Sequence, residues 1–494
     1  MNLNYLEKIS GDEIKTIAHY TGFVLISIAS FMMIPIIICR IYNDGMTYFN
    51  SFTYSMIISL TVGLLLYYSC NSKNLSDLSF KGSFIFVLSI WILSALVCAL
   101  PMIFSRDLSF VDSYFESMSG ITSTGFTMYS DVPVAFCIRI WRSLLQWIGG
   151  LGVIILLSVL LPSSVSLKRL YVAEGNTEEI TPNIKHNSMM FIRIYTLLTI
   201  LAILLYILVG VDLFNSVCYS FAGLGTGGFS SDPGYLNYFA NPLVEMVTMI
   251  VMILGAMNFI LHYNLLRGKL KLVHKDIEIR YMFFFIALAT IIVTFSLLQH
   301  NFYNQDILLT FRHALFQVIS VLTSTGFSST DINAWPALSY HILIILMFIG
   351  GCATSTASGI KIFNVAVMIK AVWWEIHSML LPKDVIIKRN VFHNNRQMHI
   401  SNYLLKQVFT FFMVYLLLFV LSTVIVLVFC NDFQTAYSIV AASIGNTGLG
   451  PSYISTSMPV VVKVVLIFDF LAGRIGIWPV LLPFIYLINR FGYG

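Results

Sequence analysis

The pentapeptide Thr122-Ser123-Thr124-Gly125-Phe126 recurs letter for letter as Thr323-Ser324-Thr325-Gly326-Phe327. A relaxed copy, Gly225-Thr226-Gly227-Gly228-Phe229, stands between the two, and a weaker one, Gly445-Asn446-Thr447-Gly448-Leu449, comes late in the chain. The central glycines are 103, 98 and 122 residues apart. A near-regular period of this size marks internal duplication. One such peptide could be a plain glycine turn between helices. Four copies in register with the surrounding hydropathy require four equivalent units in one chain.

Those surroundings are a membrane protein's. The 494 residues are 58% apolar and 10% charged, with a mean hydropathy of +0.84, whereas a soluble domain carries roughly 25% charged residues. Spanning a bilayer takes about 20 apolar residues. Ten runs qualify: 16–39, 50–70, 82–104, 138–162, 190–210, 241–266, 280–299, 338–374, 404–430 and 459–488. The four copies fall after the third, fifth, seventh and ninth. The expected fold is an all-α integral membrane protein. Two leading helices (1–80) precede four helix–pore loop–helix repeats, at 81–165, 187–268, 278–375 and 404–490, around one central pore. The polar stretch 376–403 reads as a cytoplasmic linker. The polar N-terminus, Met1 to Lys15, suggests no cleaved signal peptide. The seven cysteines are dispersed in sequence and point to neither a disulfide framework nor a metal site.

With both termini inside, 21 of the 28 Lys and Arg fall on the inner face. That is the asymmetry of the positive-inside rule, and it puts every loop on the outer side. Acids lean outward. Asp112, Asp212, Asp306 and Asp432 each precede a loop, and Glu116, Asp131, Asp232 and Asp331 are expected near the same mouth. They would concentrate cations there, or cap short helices; the two roles are compatible.

The segment before each loop is a candidate half-membrane helix, with Ser119, Ala222, Ser320 or Ala442 six residues before the central glycine. Its C-terminal end favours a cation. The extended residues that follow can offer backbone carbonyls, with hydroxyls from Thr and Ser, in place of an ion's water. Glycine permits the backbone angles and the close approach this needs. The ring would be built from Thr122, Ser123, Thr124 and Gly125; Thr226, Gly227 and Gly228; Thr323, Ser324, Thr325 and Gly326; and Asn446, Thr447 and Gly448.

The eighth span is interrupted by Gly350-Gly351-Cys352-Ala353-Thr354-Ser355-Thr356-Ala357-Ser358-Gly359. Such small residues suit either close helix packing or a broken helix whose loop (350–361) crosses the pore and gates it. Lys361 ends that stretch, as part of the gate or as a cytoplasmic anchor. Arg474 lies deep in the last span, where a charge usually faces a cavity. It is expected to face the pore as a barrier or latch against the loop's carbonyls.

The pattern resembles the Trk/Ktr/HKT superfamily of potassium transporters over residues 80–490, and the two leading helices resemble its TrkH/TrkG branch. Matching stretches are Phe115-Glu116, Ser119-Gly120, Asn258-Phe259, Gly350-Gly351-Cys352, Gly359-Ile360-Lys361 and Gly473-Arg474. The resemblance implies K⁺ as the transported ion, held by the carbonyls of Gly125, Gly228, Gly326 and Gly448. It favours the intramembrane gate at Gly350, Gly351, Gly359, Lys361 and Arg474. It also implies a homodimer in a bacterial inner membrane, served by cytosolic TrkA-like subunits that bind NAD or ATP. No serine replaces any of the four glycines, which favours K⁺ over Na⁺. One departure is Gly476, where the family usually has an acid; Asp469 is a substitute partner for Arg474.

Other classes fit less well. Carriers with inverted repeats need an odd number of spans per repeat, and these units have two. No HExxH, GxSxG or phosphate-cradling loop is present, so an enzyme is not expected. No cofactor or nucleic-acid partner is expected beyond K⁺ and membrane lipids. A symporter of the same architecture, coupled to H⁺ or Na⁺ and taking Na⁺ or both ions, is the alternative.

Overall fold

The computed structural model describes residues 10–69, 78–129, 134–152, 184–230, 241–382, 388–450 and 453–492. Asp131 and Asp232, the inner-face cations Lys8, Lys73, Lys168, Arg169 and Lys383 counted above, and the side chains of the inner-face Lys185 and Arg490 lie outside the described residues.

The leading helices are α1 (Gly11–Phe31), α2 (Met33–Tyr42) and α3 (Met46–Ser69). Ser10 and Glu13 form a capping box at the start of α1. Glu13 Oε1 also accepts the Ser79 N–H at 2.6 Å, which ties this helix to the first repeat. The α1–α3 contact is close because Gly22 and Gly63 face each other, and a Cβ on either would meet the opposite backbone. Small residues allow this in a membrane, where packing rather than the hydrophobic effect holds helices together.

Each repeat then has a long opening helix and a short apolar one. The pairs are α4 (Phe80–Ser105) with α5 (Phe110–Ile121), and α7 (Ile184–Leu208) with α8 (Leu213–Leu224). The third and fourth pairs are α12 (Ile277–Gln299) with α13 (Ile307–Leu322), and α16 (Asn402–Cys430) with α17 (Phe433–Ile444). Closing helices follow each loop: α6 (Phe136–Leu151), α9 and α10 (Pro242–Ala256, Phe259–Leu266), α14 and α15 (Ala337–Ile349, Ile362–Leu380), and α18 and α19 (Val460–Ile475, Ile477–Gly492). The short α11 (Leu270–Lys275) joins repeats two and three. The architecture is therefore two leading spans and four helix–pore loop–helix repeats around one pore.

Three expectations need correction. First, the sequence indicated one broken closing span, yet none of the four runs through. Helix α6 ends at Gly152 (φ 92°), α9 and α10 bend by 109°, and α18 and α19 part at Gly476 (φ 85°). Those glycines hold backbone angles no right-handed helix uses, and Asn258 caps α10 and so restarts the helix. Apolar composition conceals such breaks because one glycine or asparagine barely alters the hydropathy of a run. Among the described residues, six helices are long and apolar enough to cross, and the bent pair makes a seventh.

Second, the described residues of the 376–403 stretch carry regular structure that its polar composition did not indicate. Helix α15 runs to Leu380, and β1 (Asn390–His393) pairs antiparallel with β2 (Arg396–His399). The turn Asn394-Asn395 has φ of 47° and 68°, the type I′ geometry that Asn tolerates.

Third, the acids divide by role. Asp212, Asp306 and Asp432 each cap a short helix, accepting the N–H of Asn215, Leu309 and Thr435. Asp112 does not cap; Ser109 takes that place in α5. Asp112 is buried and paired with Lys463 at 2.5 Å. Glu116 is fully buried, paired with Arg142 at 2.7 Å. A buried carboxylate needs such partners, since isolated charge is costly away from water.

Candidate functional site: a ring of four loops

The four loops share one backbone form. Their helices end at Thr122, Gly225, Thr323 and Gly445, and the next residue turns left-handed: Ser123 (φ 56°), Thr226 (49°), Ser324 (54°) and Asn446 (48°). The following N–H reaches back across the last turn. Thr124 donates to Ser119 O and Gly227 to Ala222 O at 2.8 Å, while Thr325 donates to Ser320 O and Thr447 to Ala442 O at 2.9 Å. This is a Schellman cap made four times without glycine at its left-handed position. It satisfies two carbonyls at the C-terminal end of each helix.

Glycine enters two residues later, with positive φ at Gly125, Gly228, Gly326 and Gly448. A Cβ at Gly125 would overlap the carbonyl oxygen of Gly227; at Gly228, that of Thr325; at Gly326, that of Thr447; at Gly448, that of Thr124. Each loop thus abuts the next in chain order, and the fourth abuts the first. The ring is closed, and glycine is required at every seam for both angle and space.

The two identical copies share two braces. Ser119 Oγ donates to Phe126 O at 2.7 Å and Ser320 Oγ to Phe327 O at 2.6 Å. Hydroxyls pair at 2.8 Å between Thr122 and Thr124 and at 2.7 Å between Thr323 and Thr325. The degenerate copies use other side chains. Gln146 of α6 donates to Gly227 O at 2.7 Å and accepts the Phe229 N–H at 3.1 Å. A Cβ on Gly227 would strike this amide, which accounts for the glycine where the other loops have threonine. In the fourth loop Asn446 Nδ2 donates to Thr124 Oγ1 at 2.7 Å and to Phe470 O at 3.1 Å. Glu116 anchors the exit of the first loop, accepting from Met128 N at 2.6 Å and Thr127 Oγ1 at 3.0 Å.

Below the ring lies the 350–361 segment. Gly350 (φ 72°) and Gly359 (φ 88°) pack neck to neck. The Cys352 N–H donates to Ala256 O at 3.0 Å and the Phe259 N–H to Thr354 O at 3.2 Å, which seats the segment in the break between α9 and α10. Buried Glu278 accepts from Ala353 N at 2.5 Å and from Asn258 Nδ2 at 3.2 Å. Lys361, itself at φ 76°, donates to Ala357 O. Arg474 donates to Thr356 O in this segment, and to Gly149 O and Gly150 O (the latter at 2.7 Å) at the end of α6. Asp469 accepts from Ser422 at 2.8 Å. A cavity lined by Gly152, Ser355, Gly359, Lys361, Arg474 and Gly476 opens beside the segment.

Sequence reasoning missed Gln146 and Glu278. Neither sits in a repeat motif, and each acts on a backbone far away in the chain. The only available signal was polar residues inside otherwise apolar runs.

Comparison with known proteins agrees with this geometry. Residues 49–490 match the TrkH family, described as cation transport protein. The chain is 32% identical to the Trk system potassium uptake protein TrkH of Escherichia coli strain K12, over 95% of this chain and 98% of that one. It is 31% identical to TrkG of the same organism, with the same shares covered. The crystal structure of the potassium transporter TrkH from Vibrio parahaemolyticus superposes with a TM-score of 0.82 at 27% identity, over 95% of this chain and 98% of that chain. The chain belongs to the TrkH family of cation transport proteins.

Proposed function

We propose that the chain takes up K⁺ through a gated, K⁺-selective pore whose filter is the ring of four loops. The observation that carries this reading is the closed seam at Gly125, Gly228, Gly326 and Gly448. A rigid ring of backbone can replace the hydration shell of one ion size and not another. The relatives named as potassium uptake proteins support K⁺ as the ion. The filter carbonyls of the four glycines would hold K⁺, with the hydroxyls of the preceding threonines and serines behind them.

The 350–361 segment is the gate. Arg474 latches it by joining its carbonyl to the end of α6, so the closed state links repeats one, three and four. Lys361 steadies the segment's far end. The chain works in a bacterial inner membrane with both termini cytoplasmic, as a homodimer served by cytosolic nucleotide-binding TrkA-like subunits.

One observation favours coupling to H⁺ as a second reading. Asp469 is fully buried, and its Oδ2 has no hydrogen-bond partner among the described residues; protonation would neutralise it. Flux into liposomes holding the purified chain tests both readings, with K⁺ against Na⁺ and with or without a pH gradient. Rapid K⁺ flux without the gradient supports the gated pore. Flux only with the gradient replaces it with a symporter, and equal K⁺ and Na⁺ flux overturns the selective filter.

A further inference from the structure

Three ligand-type side chains from separate parts of the sequence meet away from the pore. Cys39 lies in the last turn of α2, Asp44 in the turn before α3, and Cys137 in the first turn of α6. Their Sγ, carboxylate and Sγ atoms all lie within 4.8 Å of one another. Cys39 and Cys137 are buried, and Asp44 is half-buried.

The backbone fixes all three. Asn43 turns left-handed (φ 54°) and Gly45 has φ 101°, which folds Asp44 back over α2. Its carboxylate accepts the Phe136 N–H at 3.2 Å and the Cys137 N–H at 2.7 Å. Helix α6 has no side-chain cap of its own at Ala135, so Asp44 supplies one from across the contact. Tyr42 stacks on Phe136 at 4.3 Å beside the cluster, and Cys39 Sγ lies 3.5 Å from Gly45 O.

We propose that Cys39, Asp44 and Cys137 form a binding site for a thiophilic divalent cation of the Zn²⁺ and Cd²⁺ class. Two sulfurs and one carboxylate are ligands such an ion accepts, with the fourth tetrahedral position left for water. Thiolates select these ions over Mg²⁺ or Ca²⁺, which require oxygen. On binding, the ion replaces the two thiol protons, which leave to solvent. The bound ion staples the leading helices to the first repeat. Tyr48 of α3, four residues after Asp44, donates to Asp107, which also accepts from Tyr129 just after the first loop.

The test is a Cd²⁺ titration of the reduced full chain in detergent, following the ultraviolet thiolate-to-cadmium band. One saturable step is expected, displaced by Zn²⁺. Cys39→Ser and Cys137→Ser should each weaken it by about 10–100-fold or more, and Cys98→Ser should leave it unchanged. No band, or a band indifferent to Cys39→Ser and Cys137→Ser, overturns the site. Should a serine variant fail to fold, alkylation of the wild type decides. Cd²⁺ must shield the Cys39 and Cys137 peptides from iodoacetamide, and equal labelling with and without the ion overturns the proposal. A Cys39–Cys137 disulfide in the unreduced protein would also overturn it.

Discussion

Gln146 shows how one side chain decides what a repeat can look like. Its amide occupies the space a threonine side chain would need at position 227 and makes two bonds to the second loop. The degenerate spelling Gly225-Thr226-Gly227-Gly228-Phe229 is therefore a fitted partner of α6 rather than a decayed copy. Each bond to a buried backbone group contributes about 0.5–1.5 kcal/mol, and an orphaned partner costs about 1–3 kcal/mol. Gln146→Leu should keep the fold, since packing elsewhere is unchanged, but loosen one quarter of the ring. The expected result is a K⁺/Na⁺ flux ratio lowered about tenfold, for about 1.4 kcal/mol of lost discrimination, with K⁺ flux itself less affected. An unchanged ratio in liposomes would show that the second loop needs no brace.

At the scale of elements, each helix before a loop is short, 12 residues in three repeats and 16 in the third. Its two ends pose separate problems. The C-terminal end is closed by the Schellman turn. The N-terminal end is capped by Asp212, Asp306, Asp432 or, in the first repeat, Ser109. Asp306→Ala removes the cap of α13 and should cost about 1 kcal/mol of stability. A lower thermal midpoint with an unaltered K⁺/Na⁺ ratio is expected. A changed ratio with no loss of stability would instead assign Asp306 to the ion path.

The sequence made the repeats legible at this scale because duplication preserved both the glycines and the hydropathy rhythm. It left three of the four helix breaks hidden, at Gly152, at Met257-Asn258 and at Gly476. A single glycine or an Asn in an apolar run is compatible with a continuous helix, and only neighbours decide. At 350–361 a run of ten small or hydroxyl residues removed that ambiguity. The burial of Asp112 and Glu116 was hidden for a related reason. An acid's burial depends on whether Lys463 or Arg142, distant in the chain, arrives beside it.

For the whole molecule, the ring and the segment below it are built on different principles. The ring is closed by steric seams between adjacent loops, each glycine against a neighbour's carbonyl. The 350–361 segment is held by hydrogen bonds to Glu278 at the start of its own repeat and to groups from two others, the α9–α10 break and Arg474 from the last span. Steric seams fix one geometry; hydrogen bonds to a loop can be exchanged for water when it moves. If the first structure selects ions and the second gates them, their variants should act on separate quantities. Gly326→Ser forces a side chain against Thr447 O at φ 84° and should lower the K⁺/Na⁺ ratio. Arg474→Gln removes the charge that joins Thr356 O to Gly149 O and Gly150 O. It should raise K⁺ flux severalfold at an unchanged ratio. Sites that share no partner usually combine additively within about 0.3–0.5 kcal/mol. The double variant should therefore show the ratio of the first and the flux gain of the second. A flux gain from Arg474→Gln that vanishes in the Gly326→Ser background would mean that ring and segment move as one body, with the gate inside the filter itself.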